Sequence, residues 1–349
     1  MKIMHILWEL RYGGAETMLV DIANLQSLDN EVEVLIINND IEVSLFETLN
    51  ERIKVKKINR PAQNYNPFYI LKLNAIIAFS NADVFHFHHN NLINYIPASV
   101  LKKNRCLTVH CLDTQYIRRY DHVFAISEAV KKMIKQETGI DASLVENGVD
   151  INRFRKQKNK QNTVFRIVQI GRLAHEYKGQ HLSLSAIDLL VNRYNCKNIH
   201  LDIIGWGVSE KYLKDMAKHL NITDYVSFLG MRDKNYLGEH LADYDLLVQP
   251  SLWEGFGLTI IEAISALTPT LLSNIDGMNT VSQDGKYTYT FKNNDVEDYA
   301  ENIYKIINLP SEKREEMAEK AYNFALDNFD IAITVKKYLA LYEQIIQKR

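Results

Sequence analysis

Residues 245–269 read DLLVQPSLWEGFGLTIIEAISALTP, a pattern that indicates a parallel β-sheet. The apolar run at 245–249 stops at Pro250, which is typical of the end of a buried parallel strand. Two glycines within three positions follow, and apolar side chains then recur at helical spacing through 258–266. The predicted order is strand, glycine-rich turn and helix, the unit from which parallel sheets are built.

The predicted turn has the chemistry of a binding site for an anion that also carries hydroxyl groups. Backbone N–H groups of the helix N-terminus would lie at the carboxyl end of the strand, where open α/β sheets bind anionic ligands. Glu254 in the turn and Glu262 in the helix flank this position. Because a carboxylate repels phosphate, we expect both side chains to accept hydrogen bonds from hydroxyls of the same ligand. A ligand with both kinds of group is a sugar nucleotide.

Strands and helices alternate along the whole chain, which predicts an α/β fold with parallel sheets covered on both faces. The first series of predicted strands covers 3–8, 32–37, 53–58, 83–87, 105–110, 121–126 and 142–145. Its predicted helices cover 15–25, 67–79, 92–101 and 128–136. In the second series, the predicted strands besides 245–249 are 164–170, 199–204, 225–229, 269–272 and 287–291. Its helices besides 258–266 are 179–190, 210–220, 296–307, 311–326 and 331–346.

The two series predict two Rossmann-like domains that face each other across a cleft. A chain of 349 residues is also longer than one hydrophobic core usually supports. The polar and basic segment 152–162 has the composition of a linker, so we assign 1–155 to the first domain and 163–330 to the second. The segment 331–349 is predicted to return to the first domain.

Composition and charge exclude several classes of function. The net charge of −2 gives no support for a nucleic-acid partner. The cysteines Cys106, Cys111 and Cys196 are too few and too scattered for a disulfide framework or a metal cage, which favours a cytoplasmic location. No apolar stretch approaches the roughly 20 residues that span a bilayer. The first turn holds Gly13 and Gly14 without the GxGxxG spacing of dinucleotide folds, so we expect no nicotinamide or flavin cofactor.

Two cations follow the first predicted strand of the second domain. Arg172 comes directly after that strand, and Lys178 precedes the helix that Gly179 opens. A guanidinium and an ammonium at the carboxyl end of a strand can neutralise a diphosphate and stabilise the charge that develops as it leaves. Two solvated surface cations are the alternative for either residue considered alone.

The pair Glu254 and Glu262, with seven residues between them, is the most specific of several motifs in this strand–turn–helix context. The other motifs are Gly13-Gly14, His110, Glu146-Asn147-Gly148-Val149-Asp150, Gly171-Arg172-Leu173, Lys178-Gly179, Ile204-Gly205-Trp206-Gly207 and Val226-Ser227-Phe228-Leu229-Gly230. Together they resemble the group-1 family of retaining glycosyltransferases, which includes glycogen synthase and sucrose-phosphate synthase. The resemblance covers nearly the whole chain.

The resemblance implies a GT-B type fold and a role for each motif. Glu262 would bind the ribose hydroxyls of the nucleotide, and Glu254 would contact the transferred sugar. Arg172 and Lys178 would hold the diphosphate, and His110 would lie close to the donor sugar. Further donor-binding positions would be Gly13, Gly14, Gly171, Gly205, Gly255, Phe256, Gly257, Leu258 and Thr259, and acceptor or cleft positions Asn147 and Gly148. For the glycine pair of the first turn and for the last two positions, plain turn structure is the alternative.

The cluster His86, His88 and His89 raises the question of a metal site. His86 and His88 lie two apart near a predicted strand end, but no Asp, Glu or Cys accompanies them at ligand spacing. The family resemblance also implies no metal. We therefore expect neither a metal nor a cofactor, and the expected small-molecule partner is a nucleoside-diphosphate sugar.

Two segments depart from the family pattern. Leu267 stands where the family usually has glycine; because leucine adopts the left-handed conformation poorly, we expect the helix to end differently. Residues 276–280 read DGMNT in place of Gly-Gly-x-x-Glu, near the sugar site of the family, which leaves the donor open. The segment between His110 and Asp121 is short, which predicts an open acceptor pocket.

The sequence thus predicts a cytoplasmic retaining glycosyltransferase that transfers a hexosyl or N-acetylhexosaminyl group to a hydroxyl acceptor, in bacterial polysaccharide, lipopolysaccharide or capsule synthesis. The lack of a convincing protein nucleophile favours a front-face mechanism, and Glu254 as a covalent nucleophile is the alternative. A lipid-linked acceptor at the inner face of the plasma membrane is a further hypothesis; it rests on the basic residues Lys102, Lys103, Arg105, Arg118, Arg119, Lys131, Lys132 and Lys135. A solvated helix face is the alternative for that set. For the function, the alternatives are an epimerase, a phosphorylase or a non-catalytic sugar-nucleotide-binding protein.

Overall fold

The structure is a computed structural model whose contacts divide the chain into two units. The residues that it describes are 1–101, 104–110, 113–154 and 163–347. The first unit comprises Met1–Gly148 and Ile331–Arg349, and the second comprises Val149–Asp330. Three residues singled out in the sequence lie outside the described ranges: Lys102, Lys103 and Cys111.

The strands follow the predicted series closely. They are β1 (Lys2–Leu7), β2 (Glu31–Asn38), β3 (Lys54–Arg60), β4 (Val84–Phe87), β5 (Arg105–Val109), β6 (His122–Ala125), β7 (Ser143–Leu144), β8 (Phe165–Ile170), β9 (Ile199–Ile204), β10 (Val226–Gly230), β11 (Leu246–Gln249), β12 (Thr270–Asn274) and β13 (Tyr289–Lys292). Apolar runs such as that of β2 are buried over nearly their whole length, as expected for parallel strands covered on both faces.

The main difference between the helices and the predictions is that the structure contains several short helices that were not predicted. They are α1 (Gly14–Gln26), α2 (Val43–Phe46), α3 (Pro67–Ala78), α4 (Glu128–Thr138), α5 (Ile151–Phe154), α6 (His175–Lys178), α7 (Gln180–Asp188), α8 (Glu210–His219), α9 (Lys234–His240), α10 (Leu258–Ser265), α11 (Asp276–Ser282), α12 (Val296–Ile307), α13 (Ser311–Phe329) and α14 (Ile331–Gln347). None of the described helices has both the length and the apolar character needed to cross a bilayer.

The first unit is a parallel sheet with the order β3-β2-β1-β4-β5-β6-β7. The strand order reverses between β1 and β4, and in open α/β sheets such a reversal marks the usual ligand crevice at the carboxyl ends of the strands. The last helix, α14, packs against α1 of this unit, as predicted.

The second unit repeats this arrangement with the order β10-β9-β8-β11-β12-β13, again all parallel. Its reversal falls between β8 and β11, so the strand of the stretch 245–269 lies at the centre of the sheet. Leu246 and Val248 of β11 are fully buried in a core that includes Leu201 of β9. The predicted α/β fold with two Rossmann-like units is confirmed.

One local prediction failed at a proline. The predicted helix at 92–101 is wrong: a short 3-10 helix covers Asn90–Tyr95, and Ile96 is extended (φ −123°, ψ 108°). Pro97 explains the stop, because proline disfavours the helical conformation in the residue before it and has no N–H to donate.

The predicted linker also failed in part. Residues 151–154 form α5, which packs against α9 and α10 and has Ile151 and Phe154 fully buried. The second unit therefore begins at Val149 and not at 163. The rest of the predicted linker, 155–162, lies outside the described residues.

The end of α10 corrects the expectation for Leu267. Leu267 does adopt the left-handed conformation, with φ 58°. Its N–H donates to the Ile264 carbonyl at 2.9 Å, and the N–H of Thr268 donates to Ala263, also at 2.9 Å. This is the hydrogen-bond pattern of a Schellman motif. The two hydrogen bonds pair carbonyls that the helix end would otherwise leave without partners, and they offset the free-energy cost of a left-handed leucine at this position.

Candidate active site

The turns after β8 and β9 lie side by side in the second unit. Gly171 and Arg172 follow directly on Ile170, the last residue of β8. A Cβ added to Gly205, which follows β9, would lie only 1.9 Å from the Gly171 carbonyl oxygen. The Arg172 carbonyl accepts a hydrogen bond from Gln180 Nε2 at 2.8 Å, whereas its side chain is exposed and has no ion-pair partner among the described residues. The guanidinium is therefore available to an anion at this edge of the sheet.

Lys178 and Glu254 form an ion pair at the same edge, with 2.5 Å between Nζ and Oε2. Their side chains are 25% and 13% exposed, so the pair is shielded but reachable. The loop before Glu254 is held against the turn before Lys178, because the Tyr177 carbonyl accepts from the N–H groups of Leu252 (2.8 Å) and Trp253 (3.2 Å). The structure thus joins the cation predicted for the diphosphate to the carboxylate predicted for the sugar.

The N-terminus of α10 lies just beyond this pair in the chain. Gly257 precedes the helix in the left-handed conformation (φ 89°) and provides no side-chain cap. The N–H groups of Leu258 and Thr259 belong to the first turn, where the helix itself offers no acceptors, so they can bind an anion. Glu262 lies one turn further along the helix and is 6% exposed.

The side chain of Phe256, one of the predicted donor-binding residues, is buried. The ring is 2% exposed and packs edge-on against Phe329, with 5.5 Å between ring centroids. Only the backbone of Phe256 can therefore contribute to a donor site.

Gly277 is a position that sequence reasoning missed. It is the second residue of α11, and a Cβ added there would lie 1.7 Å from the backbone oxygen of Glu254. The Gly255 N–H donates to Glu254 Oε1 at 3.2 Å, so this turn is fixed from two directions. The glycine in the segment DGMNT was the available signal, but its contact partner is distant in sequence.

The glycine pair of the first unit begins a helix. Gly13 is extended (φ −161°) and caps α1, whose first residue is Gly14. The Gly13 carbonyl accepts hydrogen bonds from the N–H and the hydroxyl of Thr17, at 3.0 and 2.8 Å. Because Gly14 is exposed, the N–H groups of this helix start can reach solvent or a ligand.

Asn147 and Gly148, predicted for the acceptor side or the cleft, pack inside the first unit. Asn147 is 4% exposed. A Cβ added to Gly148 would lie 2.8 Å from Cα of Ile331 and 2.5 Å from the hydroxyl of Thr334. Gly148 therefore permits the close approach of α14, which is a structural role.

His110 lies at the end of a row of buried imidazoles in the first unit. Its Nε2 is 3.4 Å from Nδ1 of His88, and Nε2 of His88 is 3.1 Å from Nδ1 of His5. His86, the strand neighbour of His5, is hydrogen-bonded through Nδ1 to the hydroxyl of Tyr342 at 2.5 Å. Sequence reasoning missed His5, which lies 81 residues before His86 and meets it only through strand pairing.

Burial determines the charge of this histidine cluster. It lowers the pKa of His5 to about 4 and that of His110 to about 3, because the charged imidazolium loses its hydration. The pKa values of His86 and His88 are also lowered, first by burial and then by the neighbouring imidazoles. The cluster is therefore neutral at pH 7.

Three of these histidines have the proximity of metal ligands. One nitrogen each of His5, His86 and His88 lies within 4.8 Å of the others, and this is the one such group among the described residues. Both ring nitrogens of each residue are, however, engaged in hydrogen bonds within the protein. The geometry fits a hydrogen-bonded network better than a metal centre, and the lack of a metal stays a prediction.

Comparison with known proteins places these features in a family. A family model for group 1 glycosyl transferases matches residues 150–324, which are 175 of the 349 residues, and one for glycosyltransferase family 4 matches 12–153. The Anabaena HepE structure in complex with UDP and glucose superposes with a TM-score of 0.84 at 19% identity, over 99% of this chain and 100% of that one.

Among curated relatives, protein CapJ of Staphylococcus aureus is 33% identical over 205 residues, or 58% of this chain and 50% of CapJ. Glycogen synthase of Mycobacterium tuberculosis is 27% identical over 239 residues, or 66% of this chain and 57% of the synthase. An Escherichia coli galactosyltransferase, whose name specifies UDP-Gal and α-D-GlcNAc-diphosphoundecaprenol, is 26% identical over 58% of this chain and 54% of its own length. The matched regions thus span about half the length of these relatives.

The match to group 1 covers the second unit with its ion pair, and the match to family 4 covers most of the first. The predicted family resemblance is confirmed, and the chain belongs to the group 1 glycosyl transferases.

Proposed function

We propose that this protein is a retaining glycosyltransferase that uses a nucleoside-diphosphate sugar. The observation that carries the proposal is the Lys178–Glu254 ion pair, which lies at the carboxyl edge of β8 and β11 beside the N-terminus of α10. An ammonium, an exposed guanidinium and free helix amides favour a diphosphate, while the carboxylates favour hydroxyl groups. No nucleic-acid partner, metal or cofactor is part of the proposal.

Each group has a role in the proposed reaction. Arg172, Lys178 and the amides at Gly257, Leu258 and Thr259 stabilise the departing diphosphate. Glu262 binds the ribose, Glu254 binds the transferred sugar, and His110 accepts a hydrogen bond from a sugar hydroxyl. The backbone positions proposed to line the donor are Gly13, Gly14, Gly171, Gly205, Gly255 and Phe256.

The proposed step is a front-face substitution. The bond between the anomeric carbon and the β-phosphate oxygen breaks, and the acceptor oxygen forms its bond to that carbon from the same face. The acceptor proton passes to the departing phosphate oxygen, so no protein base is required. Lys178 would exchange part of its contact with Glu254 for the phosphate, which leaves the carboxylate free to accept from the sugar.

Replacing Glu254 and Glu262 separately by glutamine tests the site. We expect transfer and donor hydrolysis to fall at least about 100-fold in Glu254→Gln, because a carboxylate hydrogen bond at the reacting sugar is lost. The matched control is Glu210→Gln, which breaks an exposed ion pair with Lys214 in the same unit. Activity near wild type in both site variants would refute the assignment, and the anomer of the product, determined by NMR, decides retention.

The donor and the reaction class can be separated experimentally. A thermal-shift screen with UDP-, GDP-, ADP- and dTDP-sugars would name the base through the largest stabilisation. An epimerase or phosphorylase would convert the donor without a sugar acceptor, and a binding protein would stabilise without turnover. Transfer to an added hydroxyl acceptor supports our proposal against all three.

We also propose a lipid-linked saccharide as acceptor and contact with the inner face of the plasma membrane. The galactosyltransferase relative carries a diphosphoundecaprenol compound in its name, which supports this choice of acceptor. Helix α3 supports the contact: Phe68, Leu71 and Phe79 on or next to it are 61%, 68% and 91% exposed. The sequence 61–80 contains no acidic residue, so nothing in it repels anionic lipid.

Co-sedimentation with anionic and neutral vesicles tests the membrane contact. We expect binding to anionic vesicles at low salt and its loss in a variant with Phe68→Ser and Leu71→Ser. Val208→Ser, at a residue that is 94% exposed in the second unit, is the control for removing an exposed apolar side chain. Absence of wild-type binding at low salt would refute the contact, and loss only on replacing Lys131, Lys132 and Lys135 of α4 would move it to the basic set.

A further inference from the structure

The row of imidazoles that ends at His110 continues inward to an amide. Nε2 of His110 faces Nδ1 of His88 at 3.4 Å, and Nε2 of His88 faces Nδ1 of His5 at 3.1 Å. Nε2 of His5 faces Oε1 of Gln26 at 2.8 Å. The three contacts repeat one geometry, Nε2 to the next acceptor, from a half-buried ring to two fully buried groups. We refer to His110, His88, His5 and Gln26 as the histidine row.

Counting hydrogens shows that the row has a direction. A neutral imidazole carries one N–H and one lone pair. The structure places Oε1 of Gln26 toward His5 and leaves the buried Nε2 of Gln26 without a hydrogen-bond partner among the described residues. Because an amide oxygen can only accept, in this orientation the hydrogen of His5 is on Nε2 and its Nδ1 bears the lone pair. His88 must then donate from Nε2 to that lone pair, which leaves its own Nδ1 as the acceptor for Nε2–H of His110. One amide oxygen therefore determines the tautomer of a ring three contacts away.

The hydrogens can be assigned in this way because the three rings are neutral in their buried environment. Burial holds the pKa values of all three histidines of the row below their usual range. Neutral groups lie beside the row: His86 is bonded to the hydroxyls of Thr108 and Tyr342, and Thr108 to Tyr338. Burial also lowers the pKa of the neighbouring His89 to about 4. Three rings with three hydrogens satisfy all three contacts without a charge.

We propose that Gln26, acting through His5 and His88, holds His110 as the Nε2–H tautomer, so that Nδ1 of His110 is the atom that accepts a hydrogen bond from a substrate hydroxyl. Gln26, His5 and His88 are then positioning residues, since they act through His110. The substrate part of this inference rests on the function proposed above, whereas the tautomer does not.

The alternative state of the row is equally specific. If the Gln26 amide turned its nitrogen toward His5, every hydrogen would shift and His110 would carry its hydrogen on Nδ1. A hydroxyl donor would then meet an N–H instead of a lone pair. The Gln26 side chain therefore controls whether His110 can accept.

Nitrogen NMR of the full-length protein with ¹⁵N-labelled histidine tests the proposal at pH 7. In the wild type we expect His110 to show its hydrogen on Nε2 and a bare Nδ1, with no second form. A hydrogen on Nδ1, a charged ring or a mixture of tautomers in the wild type would each overturn the proposal. This first measurement needs no variant and no activity.

Gln26→Met removes the acceptor at nearly constant volume, and we expect His110 to become a mixture of tautomers. His5→Phe interrupts the row at a second point and serves if the first variant does not fold. The matched control is His86→Phe: His86 contacts the rings of His5 and His88 but forms no link of the row, so the tautomer of His110 should stay single. A single Nε2–H form in Gln26→Met or His5→Phe would overturn the role of Gln26.

Kinetics separates this inference from the proposed function. If His110 accepts from the substrate, kcat of Gln26→Met should fall roughly fivefold, and His86→Phe should lower thermal stability with a smaller change in kcat. If His110→Ala keeps full activity, the role of His110 in the reaction fails, and the NMR result still decides the tautomer.

Discussion

The two sheets share one strand order around their reversal points, yet the carboxyl edges there have opposite chemistry. In the first unit the edge after β1, β4 and β5 is filled by neutral imidazoles that hydrogen-bond to one another. In the second, the edge after β8 and β11 carries a partly exposed ion pair, glycine turns and a helix N-terminus. Topology thus fixes where a site lies, while the cost of burying charge decides which groups occupy it.

The largest effect should come from removing the cation of the second unit. We expect Lys178→Ala to lower kcat/KM roughly 100- to 1,000-fold, because a fixed charge at the departing diphosphate is lost. Steady-state kinetics with the identified donor measures it. Lys214→Ala, which breaks an exposed pair in the same unit, should leave the rate unchanged. Equal losses in both variants would show that the position of the cation does not matter.

Adding a side chain at Gly277, where α11 approaches the backbone of Glu254, should have the next largest effect. The added Cβ of Gly277→Ala would collide with the backbone of Glu254, so the turn must shift, and we expect activity to fall roughly 100-fold together with a lower Tm. Gly13→Ala is the comparison variant in the first unit. Its new Cβ would meet only the movable end of the Glu16 side chain, so the backbone need not shift. An unchanged Tm in Gly277→Ala would contradict the rigid contact.

The neutral edge predicts a dependence of stability on pH. The folded protein keeps His5 unprotonated down to a pKa of about 4, whereas the unfolded chain binds that proton near pH 6.5. The unfolded state binds more protons between these values, so stability is complete above pH 6.5 and is lost as the pH falls toward 4, by about 1.4 kcal/mol per pH unit for each such histidine.

Denaturant unfolding of wild type and His5→Phe at pH 7.5 and 5 measures this term. We expect the wild type to lose more of its free energy of unfolding than the variant on acidification. A wild-type profile that is flat from pH 7.5 to 5 would contradict the neutral cluster.

The smallest effect concerns the hydroxyl that α14 contributes. Tyr342→Phe leaves the buried Nδ1 of His86 without its hydrogen-bond partner, and we expect a loss of about 1 kcal/mol in the free energy of unfolding. The affinity of the second unit for the sugar-nucleotide donor should not change. A destabilisation accompanied by weaker donor binding would mean that the two edges do not act independently.

What the sequence could predict follows from how local each signal is. The strand, turn and helix at 245–266 were predicted because the deciding residues are neighbours in the sequence. The contacts of His5 and Gly277 were missed because their partners come together only through strand pairing and helix packing.

Two of the failures of local prediction have specific causes. Pro97 ended a helix that the apolar pattern favoured, which the residue itself could have signalled. Leu267 took a conformation that leucine disfavours, because the backbone hydrogen bonds at the end of α10 outweigh the local preference.

The position of α14 in the chain has a consequence for synthesis. His86 leaves the ribosome 256 residues before Tyr342, the residue that completes its hydrogen bonding. At 5–20 residues per second, that separation corresponds to roughly 13–51 s of translation. The first unit, although mostly made first, cannot complete its core before the second unit has been translated. Until α14 has been made, the buried ring of His86 lacks the two tyrosines that it contacts, Tyr338 and Tyr342.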